Sequence, residues 1–315
     1  MTHNIILDVD TGIDDAMAIM FAARHPQVAI KAISCVAGNT SVDRVGENTL
    51  RVLDLIHAPD IPVAIGARRP LIEEARSASE VHGESGLGSV SLPPSRRKLD
   101  DRGAIELLHS TLMSSDQPIT IVALAPQTNI ALLLRTYPEV VDHIERIVFM
   151  GGAVGIGNAT AAAEFNVWHD PEAAHIVLNS GVPLTMYGLD VFFQVRASDK
   201  QIEDLQQSGD PVAHALGELL GFEAVDEATG QPWSNPIIGD AGAVCALVAP
   251  ELFTFETHPT QVELAPGIGR GQTLVDRRAV QVDYDREPWP DVQITVGCRP
   301  EDVLELFLGT VLHRP

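Results

Sequence analysis

The sequence predicts an α/β protein: a single open, mostly parallel sheet covered by helices on both faces. Short β-branched runs alternate with amphipathic stretches along most of the first two thirds of the chain. Hydrophobic residues make up 45% of the 315, ample for a large core. No shift in composition marks an interdomain linker, so residues 1–315 are expected to form a single domain.

The elements follow in order. NIILDV (4–9) reads as the first strand and IDDAMAIMFAARH (13–25) as the helix after it; AIKAISCVAG (29–38) and VDRVGENTLRVLDLIH (42–57) repeat the pair. IPVAIGA (61–67), AIELLHSTLM (104–113), ITIVALA (119–125), NIALLLRTY (129–137), RIVFMGG (146–152), PEAAHIVLNSG (171–181) and PLTMYGLD (183–190) continue the rhythm. Such alternation implies parallel strands joined by helical crossovers, and ligands then collect at the carboxyl ends of the strands. Residues 68–101, rich in Arg, Ser, Pro and Gly and without periodicity, read as a long loop able to close over a site. Residues 198–248 read as helical, AVQVDYD (279–285) and DVQITVG (291–297) as strands, and PEDVLELFLGTVLH (300–313) as a final helix.

Charge narrows the partners. Lys and Arg total 21 against 43 Asp and Glu, a formal net charge of -22, which repels a phosphate backbone and argues against nucleic acid. No segment reaches the ~18 apolar residues of a membrane span. Cys35, Cys245 and Cys298 are odd in number, lack CxxC spacing and lie in apolar segments. They are expected to be buried reduced thiols in a soluble cytoplasmic protein.

The densest chemistry is DVDTGIDDA, where Asp8, Asp10, Asp14 and Asp15 crowd the junction of the first strand and first helix. A helix N-terminus offsets only ~0.3–1 kcal/mol per acidic group, so a bound cation explains so many carboxylates better than capping, which accounts for one. Strand alternation puts Asp8 and Asp10 on one face, and Gly12 is expected to supply the turn that brings Asp14 and Asp15 back to them.

A strand followed by DVDT is also similar to the start of haloacid dehalogenase-type phosphatases, whose first Asp is a nucleophile, and GDAGA (239–243) faintly resembles their late metal-binding loop. Against that reading, Gly12 stands where their motif has Thr or Val, and Lys31, Lys98 and Lys200 have no phosphate-pairing context.

Taken together, DVDTGIDDAMAI (8–19), AGNTSVDRVGENTLRVL (37–53), VHGESGLG (81–88), ALAPQTNIALLL (123–134), IVFMGGAVGIGNATAAAEFNVWHDPEAA (147–174) and GLD (188–190) resemble the inosine-uridine preferring nucleoside hydrolases in order and spacing. The resemblance covers roughly residues 4–250 well. It implies an open Rossmann-like sheet, the nucleoside hydrolase fold, with one calcium ion per subunit, in a homo-oligomer (dimer or tetramer) that cleaves ribonucleosides to ribose and free base. By motif, Asp10 would be calcium ligand and general base toward the metal-bound water. Asp15, the backbone carbonyl of Leu124, and Asp240 would complete the protein ligands. Asp14, Asn39 and Asn166 would contact the 2′ and 3′ hydroxyls, Asn158 and Glu164 the 5′ hydroxyl; Met150 and Phe165 would line the pocket, and His82 would face the base.

The chemistry agrees with those roles. Calcium takes 6–8 oxygens, including carbonyls and diol hydroxyls, and carboxylates stabilise the oxocarbenium character that develops on the ribose. Four positions depart from the family's pattern. Gly239 replaces a histidine proposed to protonate the departing base, leaving His82, His169 or the 222–237 segment to supply an acid. Thr11 stands where many members have Pro, His169 where they have an apolar residue, and Trp233 is a possible base-stacking residue out of register with theirs. These departures leave open a calcium-dependent nucleoside or ribose binder that has lost turnover.

Overall fold

The computed structural model describes residues 2–225, 229–280 and 288–313. The elements, in order, are β1 (His3–Val9), α1 (Ile13–Arg24), β2 (Val28–Cys35), α2 (Val42–Leu55), β3 (Val63–Ile65), α3 (Ser79–His82), α4 (Ala104–Met113), β4 (Ile119–Ala123), α5 (Thr128–Thr136), β5 (Ile144–Met150), α6 (Phe165–His169), α7 (Pro171–Leu178) and β6 (Leu184–Tyr187). There follow α8 (Leu189–Phe192), α9 (Asp199–Gln206), α10 (Pro211–Leu220), β7 (Glu223–Val225), β8 (Pro232–Ser234), α11 (Ala241–Val248), β9 (Phe253–Val262), β10 (Thr273–Val275), β11 (Asp291–Cys298) and α12 (Pro300–Leu312).

Among the described residues, the main sheet has the order β10-β9-β11-β6-β5-β4-β1-β2-β3. The run from β11 to β3 is parallel, while β9 pairs antiparallel with β11 and β10 antiparallel with β9. Strand order reverses direction between β1 and β4, so their carboxyl ends flank the crevice where an open α/β sheet takes its ligand. Alternation in β1 builds the two layers: Ile5, Leu7 and Val9 join the core beneath α1, α2 and α11, and Ile6 joins the core beneath α4, α5 and α7.

The sequence reading is modified in three places and left untested in one. The stretch 198–248 is helical at both ends, but its middle holds the antiparallel ribbon β7-β8. The expected strand 279–285 lies almost wholly outside the described residues. The long stretch 68–101 is irregular apart from α3, and it is pinned rather than free: Leu71 N–H donates to Asp170, Arg76 stacks 4.1 Å over Trp168, and Arg97 pairs with Asp54. Gly12 has φ −97°, an ordinary value, so no unusual dihedral is demanded there. Its missing side chain serves close packing instead: a Cβ would lie 2.6 Å from His82 Nδ1 and 2.7 Å from Asn39 Nδ2.

Candidate active site

The end of β1 separates the first two aspartates. Asp8, still within the strand, is wholly buried and accepts from Ser34 Oγ on β2 and from Asn129 Nδ2 on α5, the latter at 2.8 Å. It ties three elements together and is not part of the carboxylate group the sequence placed it in. Asp10 lies beyond the strand, where the Val36–Asn39 segment wraps it: the Asn39 amide donates to Asp10 Oδ2 at 2.7 Å, and a Cβ at Gly38 would sit 2.0 Å from that oxygen.

Asp15 opens α1 and organises the turn before it. Its Oδ1 accepts the Asp10 amide at 3.1 Å; its Oδ2 accepts the Gly12 amide at 3.0 Å and Asn39 Nδ2 at 3.1 Å. Asn39 is therefore a clamp on two aspartates rather than a helix cap, a position Ser41 holds. Across the crevice, the start of α11 presents Asp240. Asp14, Asp15 and Asp240 each offer an oxygen within 4.8 Å of the others, and Asp14 Oδ1 is buried with no hydrogen-bond partner. Asp14, assigned by resemblance to a ribose hydroxyl, thus joins the closest carboxylate group, with Asp10 beside it.

Burial, followed by the charge of Asp14, pushes the Asp15 carboxyl up to about 7. Burial with neighbouring carboxylates also drives Asp10 and Asp240 well above the ordinary range. Such a group ionises only against a compensating cation. The hard oxygen donors, the orphaned Asp14 oxygen and the lack of any lysine or arginine in the cavity wall among the described residues fit a divalent metal ion.

The β4–β5–α6 side forms the opposite wall. Asn166 Nδ2 donates to the Leu124 carbonyl at 2.9 Å and the Met150 carbonyl at 3.2 Å, locking both strand ends. Glu164 caps α6: its oxygens accept the amides of Asn166 at 2.8 Å, Gly152 at 3.0 Å and Val167 at 3.1 Å. Burial nonetheless holds its carboxyl up at about 7. Asn158 Oδ1 accepts the Phe165 amide at 2.8 Å, fixing that loop.

His82 closes the site from α3. Its Nδ1 accepts the Ile13 amide at 3.1 Å, which places the ring hydrogen on Nε2. Burial lowers its basicity, opposed by Asp14.

These walls enclose a cavity of about 410 Å³. Of the residues singled out in the sequence, Asp10, Asp14, Asn39, His82, Leu124, Met150, Asn158, Glu164, Phe165, Asn166 and Asp240 line it, and Asp15 lies behind Asp10 and Asn39. Trp233 also lines it, at the rim and 38% exposed. His169 does not: it is buried beside Phe165, ring centroids 5.4 Å apart, and outside the cavity wall, so it is not placed to meet a leaving base. Sequence reasoning missed Phe192 and Phe193 in the wall, and it named the 222–237 segment without singling out Phe222 or Asn235. The FF pair after GLD is a legible signal in a chain with only 5% aromatic residues.

Comparison with known proteins agrees with this geometry. A family profile described as inosine-uridine preferring nucleoside hydrolase matches residues 5–305. The pyrimidine-specific ribonucleoside hydrolase RihA of Enterobacter sp. (strain 638) is 41% identical over 303 residues, spanning 93% of this chain and 96% of the relative. Among solved structures, a plant nucleoside hydrolase superposes with a TM-score of 0.89 at 31% identity, covering 100% of both chains. A purine-preferring ribonucleoside hydrolase from Gardnerella vaginalis superposes with a TM-score of 0.84 at 30% identity, covering 98% of both. The chain belongs to the inosine-uridine preferring nucleoside hydrolase family. Its activity is the hydrolysis of ribonucleosides, an N-glycosyl hydrolase reaction.

Proposed function

We propose that the enzyme is calcium-dependent, with one ion per subunit, and that Asp10 is its general base. Asp15, Asp240 and the Leu124 carbonyl are the protein ligands, with Asp14 close enough to share the ion or a ribose hydroxyl. The observation that carries this reading is the Asp14-Asp15-Asp240 group, whose oxygens lie within 4.8 Å of one another beside a buried Asp10. Calcium, when bound, supplies charge that lowers the pKa of a water and engages vicinal hydroxyls.

The chain's own residues do the rest. Asp10 takes the proton of the attacking water, held in place by the Asn39 amide. Asn39 and Asn166 face the 2′ and 3′ hydroxyls, Asn158 and Glu164 the 5′ hydroxyl, and Met150 and Phe165 pack on the sugar. The carboxylates stabilise positive charge developing at C1′ more than the neutral substrate. His82 faces the base with its Nε2–H. The curated relative is named for pyrimidine ribonucleosides, which supports uridine and cytidine as first substrates. The phosphatase alternative needs Asp8 as nucleophile, and Asp8 is buried between Ser34 and Asn129.

The test is reducing-sugar release from a ribonucleoside panel with calcium, comparing wild type and Asp10→Ala. Release lost in the mutant supports the reading. A protein that binds calcium stoichiometrically yet releases no ribose is instead the binder without turnover. Residues 1–315 are taken to be one domain, and the resemblance supports a dimer or tetramer, read out by light scattering. Cys35 and Cys245 are buried and Cys298 partly so, all unpaired, which supports a cytoplasmic setting. No helix among the described residues is long and apolar enough to cross a membrane.

A further inference from the structure

We infer that the base end of the cavity is built for ribonucleosides whose base carries a fixed positive charge, such as a pyridinium or a 7-methylpurinium. This rests on the hydrolase reading and narrows its substrate class.

Three observations converge. The first is charge. Asp10, Asp14, Glu164 and Asp240 line the cavity and, among the described residues, no lysine or arginine does. With Asp15 behind them, no cationic side chain of the described wall repels a positively charged ligand. The second is an aromatic part of the wall. Phe193, Phe222 and Trp233 line the cavity, Trp233 on a strand paired with the one that follows Phe222, and Phe193 and Trp233 are still partly exposed. Aromatic faces attract a flat cation through the ring quadrupole, and an indole does so best.

The third is the shortage of acids. Gly239 has no side chain, and its φ of +53° and the 2.4 Å at which a Cβ would meet the Asp14 Cβ leave no room for one. His82 is held by the Ile13 amide in a tautomer with one hydrogen, on Nε2, so it donates a hydrogen bond as a neutral ring.

A cationic base does not need the missing proton. Water oxygen bonds to C1′ as the C1′–N bond breaks, and the bonding pair goes to the ring nitrogen, cancelling its charge. The water proton passes to Asp10 and then to solvent, and the base leaves neutral. A neutral nucleoside under the same scheme expels an anionic base that must collect a proton.

The test compares inosine with 7-methylinosine, and uridine with nicotinamide riboside, on the calcium-loaded enzyme. Each kcat/KM is divided by the uncatalysed hydrolysis rate of that nucleoside. The expected result is a ratio at least about tenfold higher for the cationic member of both pairs. Trp233→Leu is expected to raise KM for the cationic member at least about fivefold more than for its neutral partner. Equal or lower ratios for the cations, with neutral nucleosides cleaved well, overturn this inference and leave the hydrolase reading standing. An equal effect of Trp233→Leu on both members overturns the aromatic part. No ribose from any of the four overturns both readings.

Discussion

Gly239 and Asp14 stand in a steric relationship that fixes the chemistry at this position. A Cβ on Gly239 would lie 2.4 Å from Asp14 Cβ and 2.7 Å from its Oδ2, and the glycine φ is +53°. The histidine that the family resemblance implies at this position cannot simply be restored. Gly239→His is expected to cost at least ~1–2 kcal/mol from the left-handed backbone alone and to weaken calcium binding by displacing Asp14. Thermal melts and calcium titration check it; a calcium-replete variant with raised activity would show that the 237–240 segment re-routes freely.

Asp10→Asn keeps the acceptor for the Asn39 amide while removing the base. A fall in kcat of roughly a hundred- to ten-thousand-fold is expected, with the fold intact by circular dichroism. A variant that kept about a third or more of wild-type kcat would move the base to another carboxylate.

Calcium removal should make stability depend on pH in a defined direction. Without the ion, burial holds Asp8, Asp15 and Glu164 at about 7. Raised carboxyls mean that the native state retains protons the unfolded chain has lost. Their contribution is full below the ordinary values near ~4 and is lost as pH rises through about 7. The melting temperature in chelator should therefore fall from about pH 5 to about pH 8, and added calcium should recover most at the upper end. Calorimetry with and without chelator decides this; a calcium effect of the same size at every pH would contradict it.

Much of this site was legible because the carboxylates and Asn39 stand beside elements of clear periodicity, so the end of β1 and the start of α1 could be placed, whereas the short helix α6 that Glu164 caps was not foreseen. Asp8 was misplaced because alternation along a strand assigns a face but not what waits there: Ser34 and Asn129 come from β2 and α5, and only tertiary pairing brings them to it. Gly12 was assigned a turn on the ground of conformational freedom, whereas two side chains distant in sequence press on it. Of the aromatic residues in the cavity wall, Trp233 was singled out but Phe193 and Phe222 were missed, for a similar reason. Phe193, Phe222 and Trp233 come from three segments with no common period, and the β7-β8 ribbon that carries Trp233 consists of strands only three residues long.

Asn166→Ala tests whether the opposite wall acts through backbone oxygens. The substitution removes donors to the Leu124 and Met150 carbonyls and leaves both buried. A loss of ~1–3 kcal/mol in stability is expected, together with weaker calcium binding as the Leu124 carbonyl loses its fixed direction. Unchanged calcium affinity would remove Leu124 from the ligand set.

His82 offers a spectroscopic check of the base end. Its Nδ1 accepts the Ile13 amide, and burial lowers its pKa against the opposing charge of Asp14. A lowered folded pKa means that the native state binds fewer protons than the unfolded one, so the neutral ring is stable at neutral pH and its stabilising effect fades as pH drops below ~6.5. Nitrogen-15 correlation spectra of the calcium-loaded protein should show an unprotonated Nδ1 and a protonated Nε2 at about pH 7. An imidazolium there would mean that the Ile13 contact does not survive in solution. It would also give the cavity the acid that Gly239 lacks, and the advantage expected for cationic bases would shrink with it.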